Sequence, residues 1–172
     1  IFYVPILDEF GWSRAETASI VSVGFITYGF GSLIGGALLD RFGPRRLFTV
    51  ATAFLAIGLV GSSRATAIWH FLIFWGGFTA FGVSAVGFIP CNTLVSRWFT
   101  RRRATAIGIA QAGGRESFLT TPLIQLLILA VGWRSTMLLL AAVGFISITG
   151  IAQFLRHAPQ DVGLLPDGEA QP

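Results

Sequence analysis

From Thr17 to Leu39 the chain runs for 23 residues without a charged side chain, and that length decides the solvent in which it folds. A helix needs about 20 apolar residues to cross about 30 Å of hydrocarbon at a rise of about 1.5 Å per residue. Four further charge-poor runs pass or nearly pass that test. They are Leu47–Ser63, Ala65–Ser96, Ala104–Trp133 (interrupted by Arg115 and Glu116) and Ser135–Leu155. Ile1–Leu7 reads as the end of one more helix, and a chain that starts inside an apolar stretch reads as a fragment. Trimmed to membrane thickness, the expected spans are 1–7 in part, 17–39, 47–63, 67–96, 104–131 and 135–155. The expectation is an all-α integral membrane bundle over residues 1–156. Residues 157–172, polar and punctuated by Pro and Gly, begin a cytoplasmic linker.

Composition agrees with a membrane solvent. Hydrophobic residues make up 53% of the chain and charged ones 12%, and the mean hydropathy of +0.73 lies far from that of a domain with a charged aqueous surface. Lysine is absent, so the net charge of +4 comes from arginine alone. Those arginines sit between apolar runs, which argues against a nucleic-acid surface. Cys91 is the sole cysteine and excludes a disulfide or thiolate cluster within the chain.

The arginines also set orientation, because short cytoplasmic loops retain Lys and Arg. One set of turns holds Arg41, Arg45, Arg46, Arg97, Arg101, Arg102, Arg103 and Arg156; the other holds Arg14, Arg64 and Arg134. The richer set is expected to be cytoplasmic, and the assignment alternates correctly through every span. Trp12 and Trp133, each in a Gly-Trp pair before an inward-running helix, are expected as interface anchors, and His70 as an interfacial residue. Gly31 and Gly35, and Ala106, Ala110 and Gly114, repeat at four-residue spacing and give two helices flat faces for close packing.

At the inner end of the first complete span, "GGALLDRFGPRR" places an acid among arginines. Gly43 and Pro44 make the turn. Asp40 lies where helix meets headgroup and can pair with an arginine of its own loop or of the loop from Arg97 to Arg103. Positive-inside topology accounts for the arginines but not for the acid. The pattern G-x-x-x-D-R-x-G-x-R-R, carried by Gly36, Asp40, Arg41, Gly43, Arg45 and Arg46, resembles the loop between the second and third helices of the major facilitator superfamily of secondary transporters. The resemblance implies that Asp40 is a latch acid, that Gly36 approaches the other half of the transporter, and that Arg41, Arg45 and Arg46 are the basic surround, with Arg97 and Arg101 as gating partners.

A second stretch, "RWFTRRRATAIGIAQAG", Arg97 to Gly113, is similar to the entry of the fifth helix in the monocarboxylate transporter and oxalate/formate branch. Together the matches imply the N-terminal six-helix bundle of a major facilitator fold, its first helix truncated. "EFGWSRAE", "GWR" and "PQDVGLLPDG" resemble bacterial members, so the expected location is the bacterial inner membrane. One departure is Ser117, where that branch usually has glycine, preceded by Arg115 and Glu116.

Arg115 lies eleven residues from Ala104, about 16 Å into a core about 30 Å thick. A midplane arginine costs about 3 kcal/mol on insertion scales, so it must face a cavity, a partner or water. Three readings stand open. Arg115 binds a substrate carboxylate, with Gln111 one turn away and Glu116 carrying a coupling proton; or both charges crosslink helices; or the segment is atypical and the transporter weak. Thr79, Ser84 and Asn92 lie along the fourth helix, which in this superfamily lines the cavity, so Thr79 and Ser84 are candidate substrate contacts, although hydroxyls commonly bond their own backbone.

The expected function is secondary active transport by alternating access of a small organic anion, such as a mono- or dicarboxylate. The implied partners are a coupling proton or ion, membrane lipid and a C-terminal six-helix half; no nucleic acid, metal or cofactor is called for. The rivals are an exporter of drugs or sugars and a non-transporting six-helix scaffold. An intramembrane enzyme is disfavoured: the chain has no H-E-x-x-H and no G-x-S-x-G motif.

Overall fold

The computed structural model describes residues 1–112, 117–163, 165 and 167, less the side chains of 117–119, 161 and 162. Helices account for its architecture, and no strand occurs among the described residues. In chain order they are α1 (Tyr3–Phe10), α2 (Arg14–Ser63), α3 (Ile68–Phe71), a π-helical turn (Leu72–Thr79), α4 (Ala80–Val86), α5 (Phe88–Trp98), α6 (Arg103–Ala112) and α7 (Ser117–Ala152). Three stretches are long and apolar enough to cross a membrane: Arg14–Ser63, Ile68–Trp98 and Thr120–Ala152.

α2 begins at a capping box. Ser13 Oγ accepts from the Glu16 N–H at 3.2 Å, and Glu16 Oε2 accepts from the Ser13 N–H at 2.8 Å, so the first orphan donors of the helix are satisfied. Its 50 residues would span about 75 Å if straight, far beyond any bilayer. The helix bends instead at Gly43, whose φ of 76° and ψ of 167° are open essentially to glycine alone. Pro44 follows at the first position of the second arm, where a missing N–H costs nothing. α7 repeats the device at Gly132, with φ 81° and ψ 159°.

Close approaches between backbones fix the direction of each arm. Along the first arm of α2, Gly24 faces Gly76 and Ala80, Gly31 faces Phe81 and Ser84, and Gly35 faces Ala85 and Pro90, so residues 14–42 run parallel to residues 68–98. Along the second arm the order reverses. Gly61 meets Phe74, Gly58 meets Phe74 and Thr79, and Gly82 meets Ala51 and Leu55, so residues 44–63 run antiparallel to the same helix. The bend at Gly43 therefore turns the chain back on itself. The second arm of α7 is antiparallel to residues 44–63: Arg134 bonds the carbonyls of Ser63 and Ala65, while Gln153 reaches Thr49 and Arg45 reaches Leu155.

Buried side chains collect at the two ends of this bundle. Ile6, Ile20, Phe71, Ile128, Trp133 and Met137 form one cluster, and Leu39, Leu47, Phe48, Ala51, Leu94 and Ala152 the other. The outside is apolar, with Phe25 at 74%, Leu33 at 75% and Leu129 at 74% exposure. That is the inverse of a soluble surface and suits contact with acyl chains.

Trp133 corrects an expectation. It does not sit outward as a headgroup anchor but is 6% exposed and donates its indole N–H to Glu9 Oε2 at 2.5 Å. Arg134 pairs with the same carboxylate and donates Nε to Ser63 O at 3.1 Å and Nη2 to Ala65 O at 2.9 Å. Its guanidinium lies 4.3 Å from the Trp133 ring centroid. Phe10, stacked on Trp12 at 4.4 Å, closes the box. A buried indole needs a hydrogen-bond partner, and the acid supplies it. His70 is a cap as well, its Nδ1 accepting from the Ala67 N–H at 3.2 Å while the ring stacks on Trp69.

Candidate functional site

At the arginine-rich end, Asp40 closes the first arm of α2 and Arg97 closes α5. The two side chains form an ion pair, with Arg97 24% and Asp40 64% exposed. Of the arginines open to Asp40 by sequence, the structure pairs it with the one 57 residues away rather than with its loop neighbours. Arg97 also reaches His157, with Nη1 2.6 Å from Nε2 and 3.1 Å from Nδ1. A guanidinium has no acceptor, so the imidazole nitrogen facing it must accept.

The other residues of this loop turn elsewhere. Arg45 donates Nε to Leu155 O at 2.7 Å, tying the bend to the exit of α7. Arg41 lies with its guanidinium 5.4 Å from the Phe42 ring centroid, and Arg46 is exposed. Gly36 faces open space, since a Cβ there would meet nothing within 4 Å, whereas Gly31 and Gly35 on the same arm are in contact. Arg101 enters the site through its backbone: its N–H donates to Asp167 Oδ2 at 2.9 Å, beside the Thr100 N–H at 3.2 Å. Those donors hold the Asp167 carboxyl below its ordinary range, the Arg101 N–H contributing most.

Deeper in the bundle, Gln111 Nε2 donates to Asn92 Oδ1 at 2.6 Å and joins α6 to α5. Thr79 and Ser84 are buried, and each hydroxyl is satisfied on its own helix, Thr79 Oγ1 by Phe74 O at 3.0 Å and Ser84 Oγ by Phe81 O at 2.7 Å. Thr79 lies in the π-helical turn, where the i−5 carbonyl comes within reach. It also borders a groove of about 290 Å³ with Gly24, Tyr28 and Trp75. Arg115 and Glu116 lie outside the described residues. The geometry thus brings Asp40, Arg97 and His157 together, and separately Gln111 and Asn92.

The sequence profile described as Major Facilitator Superfamily matches residues 1–171, which include this helical arrangement and the Asp40–Arg97 ion pair. The chain belongs to the major facilitator superfamily. Monocarboxylate transporters are among its relatives. Monocarboxylate transporter 13 of Bos taurus is 35% identical over 143 residues, covering 83% of this chain and 33% of that protein. Monocarboxylate transporter 11 of Homo sapiens is 34% identical over 142 residues, covering 82% and 30%. Monocarboxylate transporter 4 of Rattus norvegicus is 32% identical over 177 residues, covering all of this chain and 37% of the relative. The chain therefore spans about a third of the length of the curated relatives it matches. Family and apolar helices together make this major facilitator chain an integral membrane protein.

Two participants had little signal in the sequence. His157 stands in a polar stretch read as linker, and only its place two residues beyond Leu155 hints that it returns to the Gly43 bend. Glu9 had a better signal, an acid next to an aromatic in "EFGW", matched by "GWR" far along the chain.

Proposed function

We propose that the chain is the N-terminal six-helix half of a secondary active transporter that moves a small organic anion by alternating access. Family membership supports transport, and the relatives' names support a monocarboxylate among the anions. The observation that carries the mechanism is the Asp40–Arg97 pair, which joins the ends of two membrane helices. With Asp40 more than half exposed, such a pair is worth at most about 1 kcal/mol after screening. That is about fivefold in a two-state population, enough to bias an inward-closed state without locking it.

In this reading Arg115, near the midplane, offers its guanidinium fork to the carboxylate. Gln111, anchored by Asn92, holds the next turn of the helix. Glu116 carries a coupling proton, and Thr79 and Ser84 hold their helix close beside its neighbours. Gly36, with open space over it, receives the C-terminal half. No covalent chemistry is involved, so the protein is not an enzyme. An exporter of another solute class and a six-helix scaffold have no specific observation in their favour. The bacterial inner membrane gains no support from relatives of cattle, rat and human origin.

The test is uptake of radiolabelled short mono- and dicarboxylates by cells expressing the full-length gene, with Arg115→Ala and Arg115→Lys in parallel. Wild type is expected to accumulate at least one of them, and Arg115→Ala to lose uptake by tenfold or more, since an Arg–carboxylate fork is worth about 1.5–3 kcal/mol. A correctly inserted wild type that moves none of these acids overturns the cargo assignment.

A further inference from the structure

Two grooves meet where the Gly43 bend touches the exit of α7. The first, about 330 Å³, is lined by Gly43, Pro44, Arg45, Arg46, Arg156 and His157, and no acid among the described residues borders it. Its volume falls in the range of about 300–1,000 Å³ typical of small-ligand sites. Arg46 and Arg156 are exposed and make no ion pair among the described residues, and Arg45 engages Leu155 O through Nε, leaving its terminal nitrogens. Three arginines thus line one groove, with no ion pair among the described residues to offset their repulsion. The second groove, about 580 Å³, runs along Leu38, Phe42, Leu47 and Val50 and is apolar. Phe42, Arg45 and Arg46 line both, so the arginines stand at the seam.

A basic cup continuous with an apolar trough has the shape of an amphiphile with an anionic head. We propose that this corner binds an anionic phospholipid, its phosphate held by Arg45, Arg46 and Arg156 and one acyl chain laid along Leu38, Leu47 and Val50. Guanidinium forks match phosphate oxygens in pairs. The site lies at the arginine-rich end, which the distribution of arginines makes cytoplasmic, and anionic lipid at that face is drawn to such clusters. A free phosphate ion satisfies the cup and leaves the trough unused, whereas a phospholipid engages both, its chain held by packing in the trough. The inference does not rest on the transport reading: it needs only insertion in a membrane.

The test titrates purified full-length protein in dodecyl maltoside with dioctanoyl phosphatidylglycerol, dioctanoyl phosphatidylcholine and inorganic phosphate, following the thermal unfolding midpoint. Phosphatidylglycerol is expected to raise the midpoint saturably, with phosphatidylcholine and phosphate at least tenfold weaker. The exposed pair Arg46→Gln and Arg156→Gln should weaken phosphatidylglycerol about 25-fold, about fivefold for each arginine. Arg14→Gln, the same charge change at the opposite end, should not. Val50→Trp, which fills the trough from a position 54% exposed, should weaken the lipid and leave phosphate unchanged. Equal binding of phosphatidylcholine overturns the headgroup claim. Phosphate as potent as phosphatidylglycerol, with Val50→Trp silent, overturns the lipid in favour of an ion site. A double glutamine variant that binds phosphatidylglycerol like wild type places the lipid elsewhere and sinks the proposal.

Discussion

Replacing Arg134 with glutamine separates two accounts of why an arginine follows Trp133. The side chain makes an ion pair with Glu9, donates to two carbonyls at the end of α2, and stacks on Trp133. Arg134 is 37% and Glu9 42% exposed, so solvent screens their attraction and the pair is worth at most about 1 kcal/mol. The carbonyls of Ser63 and Ala65 are in a different position. Ser63 ends α2 and Ala65 follows its C-cap Arg64, where intrahelical donors have run out, and a charged donor to each carbonyl is worth about 1 kcal/mol after partial exposure. Stacking adds about 0.5–1 kcal/mol. Arg134→Gln should therefore cost about 3 kcal/mol, and Glu9→Gln about 1–2 kcal/mol, part of it from the weakened Trp133 bond. Reversible unfolding in mixed micelles, run as a double-mutant cycle, measures both. The coupling energy between positions 9 and 134 is expected below about 1 kcal/mol, a third of the single loss. A coupling energy equal to the whole Arg134 loss would refute this account and make the ion pair the dominant bond.

Gly82→Ala should destabilise by about 1–3 kcal/mol in the same assay, because its Cβ would stand 2.6 Å from Leu55 N and 2.7 Å from Ala51 O, backbone atoms that cannot swing aside. Gly144→Ala, facing open space within a helix, should be neutral or stabilise by up to about 1 kcal/mol. Asp40→Asn should change stability by less than about 1 kcal/mol yet raise alkylation of cysteines placed at the inner mouth of the full-length transporter; unchanged labelling would remove the latch role. Asp167 has a lowered carboxyl pKa in the folded state, so its docking on Thr100 and Arg101 is intact above the unfolded value of 3.8 and lost as pH falls through the folded one. Exchange protection of those two amides, normalised to intrinsic rates, should fall below pH 3.8 in wild type. In Asp167→Asn it should already be low at neutral pH.

Chain-local properties were the legible ones. Length without charge predicts membrane helices because desolvation of one arginine or aspartate outweighs many methylenes, and among the described residues each such run is mostly helical, with breaks at 65–67, at Gly87 and at 153–155. The turn at Gly43 and Pro44 was equally plain, since glycine permits the positive φ and proline suits the first turn of the helix that follows. Partners far apart in sequence were not legible. Which of several arginines holds Asp40 depends on how the first arm of α2 lies against α5, and Arg97 wins only because the parallel packing of those helices brings their ends together. Trp133 misled for a related reason. The preference of tryptophan for headgroups is an average over many proteins, and it cannot register an acid 124 residues away. The π-helical turn at Leu72–Thr79 has no periodic signature that distinguishes it from ordinary helix.

Both reversals, at positions 43 and 132, depend on the one residue type without a side chain, held where any other would carry strain of order 1–3 kcal/mol. A one-base change in a glycine codon, when it leaves the reading frame open, introduces a β-carbon or leaves glycine in place. No silent missense class therefore exists at these two sites. Variation in this gene should spare them even in lineages where the neighbouring loop residues drift freely.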